Sequence, residues 1–296
     1  MKLLITGGSG AVGNHLQEIL PDAVYADSTH DLRDWLAAED LFETYKPTHV
    51  IHLAARVGGI QDNILRPAEY INDNILINTH VLNMCRMYNV KRFTGILSTC
   101  IYPDKVKGLE FSYPMTEESL FLGPPTSTNF SYAYAKRGLA VHIDAYNKQY
   151  NTKYNYLIPC NLYSEYDNFD NEDKMHFITA LLKKIKTSEK TLNLLGSGIS
   201  LRQFMYAGDL ARVIKEVLDK DITDSFNVAV SENLTIHNMA HTALKTLKKD
   251  LKIQWSEPGL NGQFRKDVCN KKLLNYIPNF KFTNFKEGIK KVYDKI

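Results

Sequence analysis

Long apolar runs are missing from this chain of 296 residues: none reaches about eighteen residues, as a bilayer span requires, and no charged start leads into an apolar signal core. Cysteine is scarce. Cys85, Cys100, Cys160 and Cys269 stand far apart and make neither a CxxC pair nor a dense disulfide framework, which points to a reducing compartment. An excess of one charge is lacking too. The 36 Lys and Arg against 33 Asp and Glu leave +3, too little to argue for nucleic acid. The lysines of 245–252 and 286–295 alternate with apolar residues at helical spacing and read as solvated helix faces. No repeat, low-complexity segment or Gly/Ser-rich linker marks a clean boundary. These absences predict a cytoplasmic protein with neither nucleic acid nor membrane as partner, and no residue cluster suggests a metal.

With 44% hydrophobic and 23% charged residues, the chain is long enough to bury an α/β core and a smaller second lobe. Apolar runs at Leu3 to Ile5, Val50 to Leu53, Phe93 to Leu97 and Tyr154 to Pro159 alternate with helical patterns, the rhythm of a doubly wound parallel sheet. Between the first run and the amphipathic stretch Ala11 to Leu20 lies GGSGAVG, Gly7 to Gly13. In that setting Gly7 permits the tight turn, Gly10 lets the backbone approach a pyrophosphate, and Gly13 lets helix pack closely on strand. The expected fold is a Rossmann sheet with a smaller α+β C-terminal substrate lobe. Its dinucleotide-binding domain takes residues 1–162, completed by about 191–228, and residues 163–190 and 229–296 form the lobe. Helices are expected at His176 to Lys186, Ala207 to Leu218 and Ile236 to Lys248.

The chemistry concentrates in residues 98–136. Tyr132 and Lys136, in SYAYAK, are four apart and share one helix face. A phenol of pKa about 10 is a weak acid at neutrality, and an adjacent ammonium is expected to bring it down toward the working range. Ser98, just past the Phe93 to Leu97 run, falls at the carboxyl edge of the sheet, where its hydroxyl can polarise a carbonyl. Each residue alone is unremarkable, since YxxxK arises by chance and Ser often ends a strand. In order behind a dinucleotide turn they support one another.

THVIHLAARVGGI at Thr48 to Ile60, LSTCIYPDK at Leu97 to Lys105, and GPPTSTNFSYAYAKR at Gly123 to Arg137 give the chain a family likeness. It continues through NLY at Asn161 to Tyr163, YDNFDNEDKMH at Tyr166 to His176, GSGISLRQFMY at Gly196 to Tyr206 and NGQFRK at Asn261 to Lys266. Over nearly its whole length the sequence resembles the extended short-chain dehydrogenase/reductase family, and within it the GDP-L-fucose synthase branch of GDP-4-keto-6-deoxymannose epimerase-reductases. The resemblance implies that Ser98, Tyr132 and Lys136 serve the reduction, while Cys100 and His176 form the acid/base pair that epimerises the sugar. It implies a coenzyme site of Gly7, Ser9, Gly10, Ala11, Val12, Gly13, Asp27, Leu53, Ala54, Ala55, Tyr132, Lys136, Pro159, Asn161, Leu162 and His176. Substrate contacts are expected at Val57, Gly58, Gly59, Asn161, Arg202, Arg265 and Lys266, the cations pairing with the sugar-nucleotide diphosphate. A homodimer through helices including the one that bears Tyr132 is a further implication.

The chemistry fits those roles, because a 4-keto group acidifies the protons at C3 and C5. A thiol of pKa about 8.5 and an imidazole of about 6.5 can exchange protons at neutral pH. Hydrogen bonds from Ser98 and Tyr132 would stabilise the enolate, at about 3 kcal/mol each by analogy with oxyanion holes.

Several positions depart from the family pattern. Asp27 lies about 20 residues after Gly7, where an acid accepts hydrogen bonds from the adenine ribose and favours NAD(H). The family mostly uses NADP(H), and some members hold its phosphate with an Arg where this chain has Ser9. The expectation is NADP(H), with NAD(H) the alternative because of Asp27. Ser164, Glu165 and Tyr166 replace a usual Gly-Pro-His, and Leu195 stands where the family often has Trp. Taken as changes near the substrate, they leave the redox residues intact and suggest an altered sugar. The alternative reading is therefore a C4-reductase without epimerase activity, acting on a GDP-4-keto-6-deoxy-heptose for capsule or lipopolysaccharide. A non-catalytic nicotinamide-binding sensor is a third.

Overall fold

A computed structural model describes residues 1–104, 112–170, 175–256 and 263–296. Lys105, Asn171 to Lys174, and Asn261 with Gly262, all within the family-like segments, lie outside the described residues.

The first half runs β1 (Leu3–Thr6), α1 (Ala11–Ile19), β2 (Val24–Ala26), α2 (Trp35–Tyr45), β3 (His49–His52), α3 (Ile60–Leu65), α4 (Pro67–Met87), β4 (Arg92–Ile96), α5 (Phe130–Tyr150) and β5 (Asn155–Pro159). There follow β6 (Asn161–Tyr163), α6 (Phe177–Thr187), β7 (Thr191–Leu195), β8 (Leu201–Arg202), β9 (Phe204–Tyr206), α7 (Ala207–Asp219) and β10 (Phe226–Val228). The C-terminal part holds β11 (Leu234–Thr235), α8 (Ile236–Leu247), β12 (Lys252–Ser256), α9 (Lys271–Tyr276) and α10 (Phe285–Tyr293).

Six parallel strands form the central sheet in the order β10-β5-β4-β3-β1-β2. All four residues of β1 are buried, as a strand covered by helices on both faces requires. The strand order reverses at β1, which pairs with β2 on one side and β3 on the other, so a crevice opens beyond the carboxyl ends of β1 and β3. This is a doubly wound α/β fold of the Rossmann type.

A second core gathers Ile178, Leu181, Leu182, Leu192, Leu194, Met239, Leu244 and Ile289 from α6, β7, α8 and α10. The ribbons β7/β12, β6/β9 and β8/β11 edge this smaller α+β lobe.

The expected boundaries need correction. Of residues 191–228, α7 and β10 do join the Rossmann core, α7 burying Leu210, Ile214 and Val217 there. The strand β7 does not. It pairs with β12 and alternates buried Leu192 and Leu194 with exposed Asn193 and Leu195, a half-covered pattern that suits a ribbon and not the two-sided central sheet. Conversely, Val268, Leu273 and Ile277, expected in the lobe, pack into the Rossmann core. The chain therefore crosses between the lobes more often than its segment order suggests. Among the described residues, no helix is long and apolar enough to cross a membrane.

Candidate active site

The glycine turn is built by steric necessity. Gly7 has φ +74°, and a Cβ on it would sit 2.7 Å from the Ala54 nitrogen, so β1 can turn toward the β3 edge only without a side chain. At Gly13 a Cβ would lie 2.3 Å from the Gly8 carbonyl oxygen, which seats α1 against the turn. Gly10 caps α1 without a side-chain hydrogen bond, leaving the first-turn N–H groups to a ligand. A cavity of about 1330 Å³ runs from this turn past Ser98 and Tyr132 to Arg202 and Lys266. That exceeds the usual span of single-ligand pockets, roughly 300–1,000 Å³, and leaves room for a second ligand beside a dinucleotide. The bare glycine cradle and the open helix terminus fit a nicotinamide dinucleotide.

Every residue expected in the catalytic, coenzyme and substrate sets lines this cavity except Arg265. Ser98 caps the short turn Thr99–Ile101, its Oγ accepting the Cys100 N–H at 3.3 Å. Tyr132 and Lys136 enter from α5, and the Tyr132 ring meets Tyr70 edge-on at 6.3 Å.

The expected depression of the Tyr132 phenol is not found. Burial pushes its pKa up and the neighbouring Cys100 adds to this, outweighing a hydrogen bond with Ser98. Lys136, whose Nζ donates to the Ile96 carbonyl at 2.7 Å, does not bring it down. Burial lowers that ammonium to a pKa of about 8. Beneath it, His52 Nδ1 accepts from Thr6 Oγ1 at 2.8 Å, and its Nε2 faces Asn78 Oδ1 at 3.1 Å. The ring is neutral, burial holding its pKa near 3.

Cys100 and His176, 76 positions apart in sequence, line one cavity. Burial works to raise the Cys100 pKa, but Lys266, Ser98 and Asn129 together bring it below the ordinary thiol value. Lys266 Nζ stands 3.4 Å from its sulfur. His176 is the N-cap of α6; its ring is exposed to the open cavity, and the protein packed around it lowers its pKa against the opposing pull of Asp167. Asp167 in turn is raised by burial and accepts from Thr179 Oγ1 at 2.6 Å. Arg202, whose pKa burial lowers, donates to the Leu201 carbonyl at 2.7 Å.

At the far end of the cavity, Asp27 Oδ1 accepts from Thr29 N at 2.9 Å and Thr29 Oγ1 at 2.6 Å, bonds that hold the carboxyl below its usual range. Arg33, which lines the same cavity, pairs with Asp31 at 2.8 Å and reaches Asp73 at 3.4 Å. Arg56 binds the same Asp73 at 3.0 Å and Glu69 at 2.5 Å.

Two expectations fail on geometry. Arg265 is committed to Asp267 at 2.5 and 3.0 Å and lies over the Tyr113 ring, so it is no diphosphate ligand in this arrangement. Ser164, Glu165 and Tyr166 line α1 and not the cavity: Ser164 Oγ is 3.0 Å from His15 Nε2, Glu165 accepts from Tyr206 at 2.7 Å, and Tyr166 donates to Glu18 at 2.6 Å. Of the departures near the lobe, Leu195 alone lines the cavity, with its side chain largely exposed. Sequence reasoning missed Asn129, whose Oδ1 is buried at the cavity wall with no partner among the described residues. Its place three residues before Tyr132 was the available signal. Arg33 and Arg56 also line the cavity, and no motif in the sequence marks either as a ligand.

Comparison with known proteins agrees with this geometry. Residues 3–229 match the family model described as NAD dependent epimerase/dehydratase family. A GDP-L-fucose synthase of Dictyostelium discoideum is 35% identical over 97% of this chain and 92% of its own. A GDP-L-colitose synthase of Yersinia pseudotuberculosis is 32% identical over 80% of this chain and 79% of its own. Among solved structures, a GDP-L-fucose synthetase from Naegleria fowleri bound to NADP superposes with a TM-score of 0.87 at 31% identity, covering 99% of this chain and 92% of that one. The chain belongs to the NAD dependent epimerase/dehydratase family of extended short-chain dehydrogenases/reductases, within its GDP-L-fucose synthase group.

Proposed function

We propose that the protein epimerises C3 and C5 of a GDP-linked 4-keto-6-deoxy sugar and then reduces its 4-keto group with NADPH. The observation that carries this reading is the meeting of Ser98, Tyr132 and Lys136 with Cys100 and His176 in one cavity. Cys100 takes the proton from the carbon beside the ketone, and the electron pair moves onto the C4 oxygen. Ser98 and Tyr132 donate hydrogen bonds to that oxygen, and His176 returns a proton from the opposite face. For the reduction, a nicotinamide coenzyme held at the glycine turn would supply hydride to C4. Tyr132, kept protonated by burial, gives the proton to the new alkoxide, and the Lys136 ammonium holds the coenzyme ribose. Arg202 faces the sugar-nucleotide diphosphate.

NADP(H) as the coenzyme is supported by the NADP-bound relative and by Arg33, a guanidinium lining the same cavity as Asp27 that can exchange its exposed carboxylate partner for a phosphate. We infer a homodimer through α4 and α5, whose residues Ile75, Leu76 and Val141 are exposed, and a cytoplasmic location, which suits four free thiols.

Incubation with GDP-4-keto-6-deoxymannose in D₂O, with and without NADPH, tests the reading by NMR. Deuterium entering C3 and C5 without reductant, followed by NADPH oxidation, is the expected result. NADPH consumption with no exchange would leave a reductase alone, and a GDP-heptose would become the better substrate.

A further inference from the structure

We propose that Lys266 is a positioning residue for the epimerisation: its ammonium holds Cys100 as a thiolate before the sugar arrives, in place of contacting the diphosphate. The proposal rests on the epimerase-reductase reading and assigns its base a partner.

Geometry carries the argument. Lys266 Nζ lies 3.4 Å from Cys100 Sγ, across 166 positions of sequence. The segment that presents it is pinned on both sides. Upstream, the Phe264 carbonyl accepts from Leu201 N at 2.9 Å. Downstream, the Asp267 carbonyl accepts from Met115 N at 2.9 Å, and Val268 N and its carbonyl are both bonded by the Gln203 amide. A lysine on a free strand would lose much side-chain entropy in holding one contact, whereas this strap fixes the backbone beforehand. Arg265 within the same segment turns the other way, to Asp267, so the two adjacent cations have different partners.

Chemistry explains the need for it. A thiol buried in an apolar wall stays protonated and cannot take a proton from carbon. Cys160 and Cys85 show that state, burial raising their pKa values, the first to about 12. Cys100 is half-buried on the cavity wall and faces Lys266, with Arg202 as a second cation within electrostatic range. The other groups around it, Ser98, Asn129 and Tyr132, are neutral polar side chains, and His176 faces Lys266 from α6. In the proton transfer the sugar C–H bond breaks and an S–H bond forms, while the negative charge passes from sulfur to the C4 oxygen. The ammonium balances the charge on sulfur before the transfer, and the hydrogen bonds of Ser98 and Tyr132 receive it on the C4 oxygen afterwards.

Iodoacetamide alkylation of the whole protein, followed at Cys100 by peptide mass across pH 5.5–9.5, tests the pairing without using catalysis. The expected midpoint for Cys100 lies below the ordinary thiol value of about 8.5. Lys266→Met should raise it by at least about one unit, slowing Cys100 labelling roughly tenfold at pH 7, and Lys266→Arg should restore the wild-type profile. The half-buried Cys269 serves as internal control, its profile unchanged in all three. Coincident midpoints in wild type and Lys266→Met would overturn the proposal, as would a wild-type midpoint at or above about 8.5, which needs no variant to fold. An acid-shifted midpoint that depends on Lys266, together with no deuterium exchange into the sugar, would leave the pair standing and sink the epimerase reading instead.

Discussion

Lys136 Nζ donates to the carbonyl oxygen of Ile96, 2.7 Å away at the carboxyl end of β4, and not to Tyr132 one helical turn before it. The ammonium is thus carried into the sheet edge with one carbonyl for company, and its pKa falls from 10.5 to about 8. A lysine whose folded pKa lies below its unfolded one is a cost at neutral pH. Between pH 8 and 10.5 the unfolded chain binds the extra proton, so stability rises with pH through that window. We therefore expect Lys136→Met to stabilise the fold by about 2 kcal/mol at pH 7, roughly 3 kcal/mol from the relieved charge less about 1 kcal/mol for the lost carbonyl bond, while activity falls at least about 100-fold. Urea unfolding of both proteins at pH 7 and 10 checks this: their difference should shrink at the higher pH. A constant difference would contradict the burial of a charged Lys136.

Tyr132→Phe removes the proton donor and leaves the ring against Tyr70. Turnover should fall by about 10²–10⁴, as for loss of a general acid, with stability within about 1 kcal/mol of wild type. Steady-state kinetics beside a thermal melt separates the two, and an unchanged turnover number refutes the role.

Cys100→Ser replaces the thiol with a hydroxyl far too basic to be ionised near neutrality. Deuterium incorporation at C3 and C5 should stop, while NADPH oxidation with a substrate already epimerised continues within about tenfold of wild type. Equal loss of both activities would show that Cys100 also serves the hydride step.

At the adenine-ribose end, Asp27 is tied to Thr29 while Arg33 sits in an exposed pair with Asp31. Arg33→Ala should raise KM for NADPH about tenfold and leave that for NADH nearly unchanged, the loss expected for one charge-assisted phosphate bond. Asp27→Asn should weaken NADH more than NADPH. Equal effects of Arg33→Ala on both coenzymes would remove Arg33 as a phosphate ligand.

A Cβ at position 13 would sit 2.3 Å from the Gly8 carbonyl, a backbone atom that cannot step aside. Gly13→Ala should cost about 1–3 kcal/mol of stability and weaken coenzyme binding with it. Differential scanning with NADPH titration reads both, and a variant that binds NADPH as wild type does would argue that the turn relaxes freely.

The strand β1, the glycine turn and α1 were legible because their signal is local: a buried apolar run, then glycines where a side chain cannot fit, then an amphipathic stretch. The helical spacing of Tyr132 and Lys136 was legible for the same reason, as were the strands that end at Ile96 and Pro159. A nicotinamide-binding α/β fold follows from those short-range patterns, since backbone sterics and side-chain period act within a few residues, while the family was implied by the resemblance of longer segments such as LSTCIYPDK.

What each side chain faces was decided elsewhere. The sequence cannot say that Lys266 reaches Cys100 while Arg265 turns to Asp267, because the strap that carries them takes its path from Met115 and Gln203. Nor does it show Ser164 and Glu165 turning away from the cavity to His15 on α1. The half-covered β7 pairs with β12 outside the central sheet, where its alternating burial suits a ribbon covered on one face. The direction of the Tyr132 pKa was read wrongly from the Tyr-Lys spacing, since spacing shows which charge is near along a helix but not how much low-dielectric protein closes over the phenol. Sequence determined the local geometry of the machinery, and the packing of one lobe on the other decided its electrostatics.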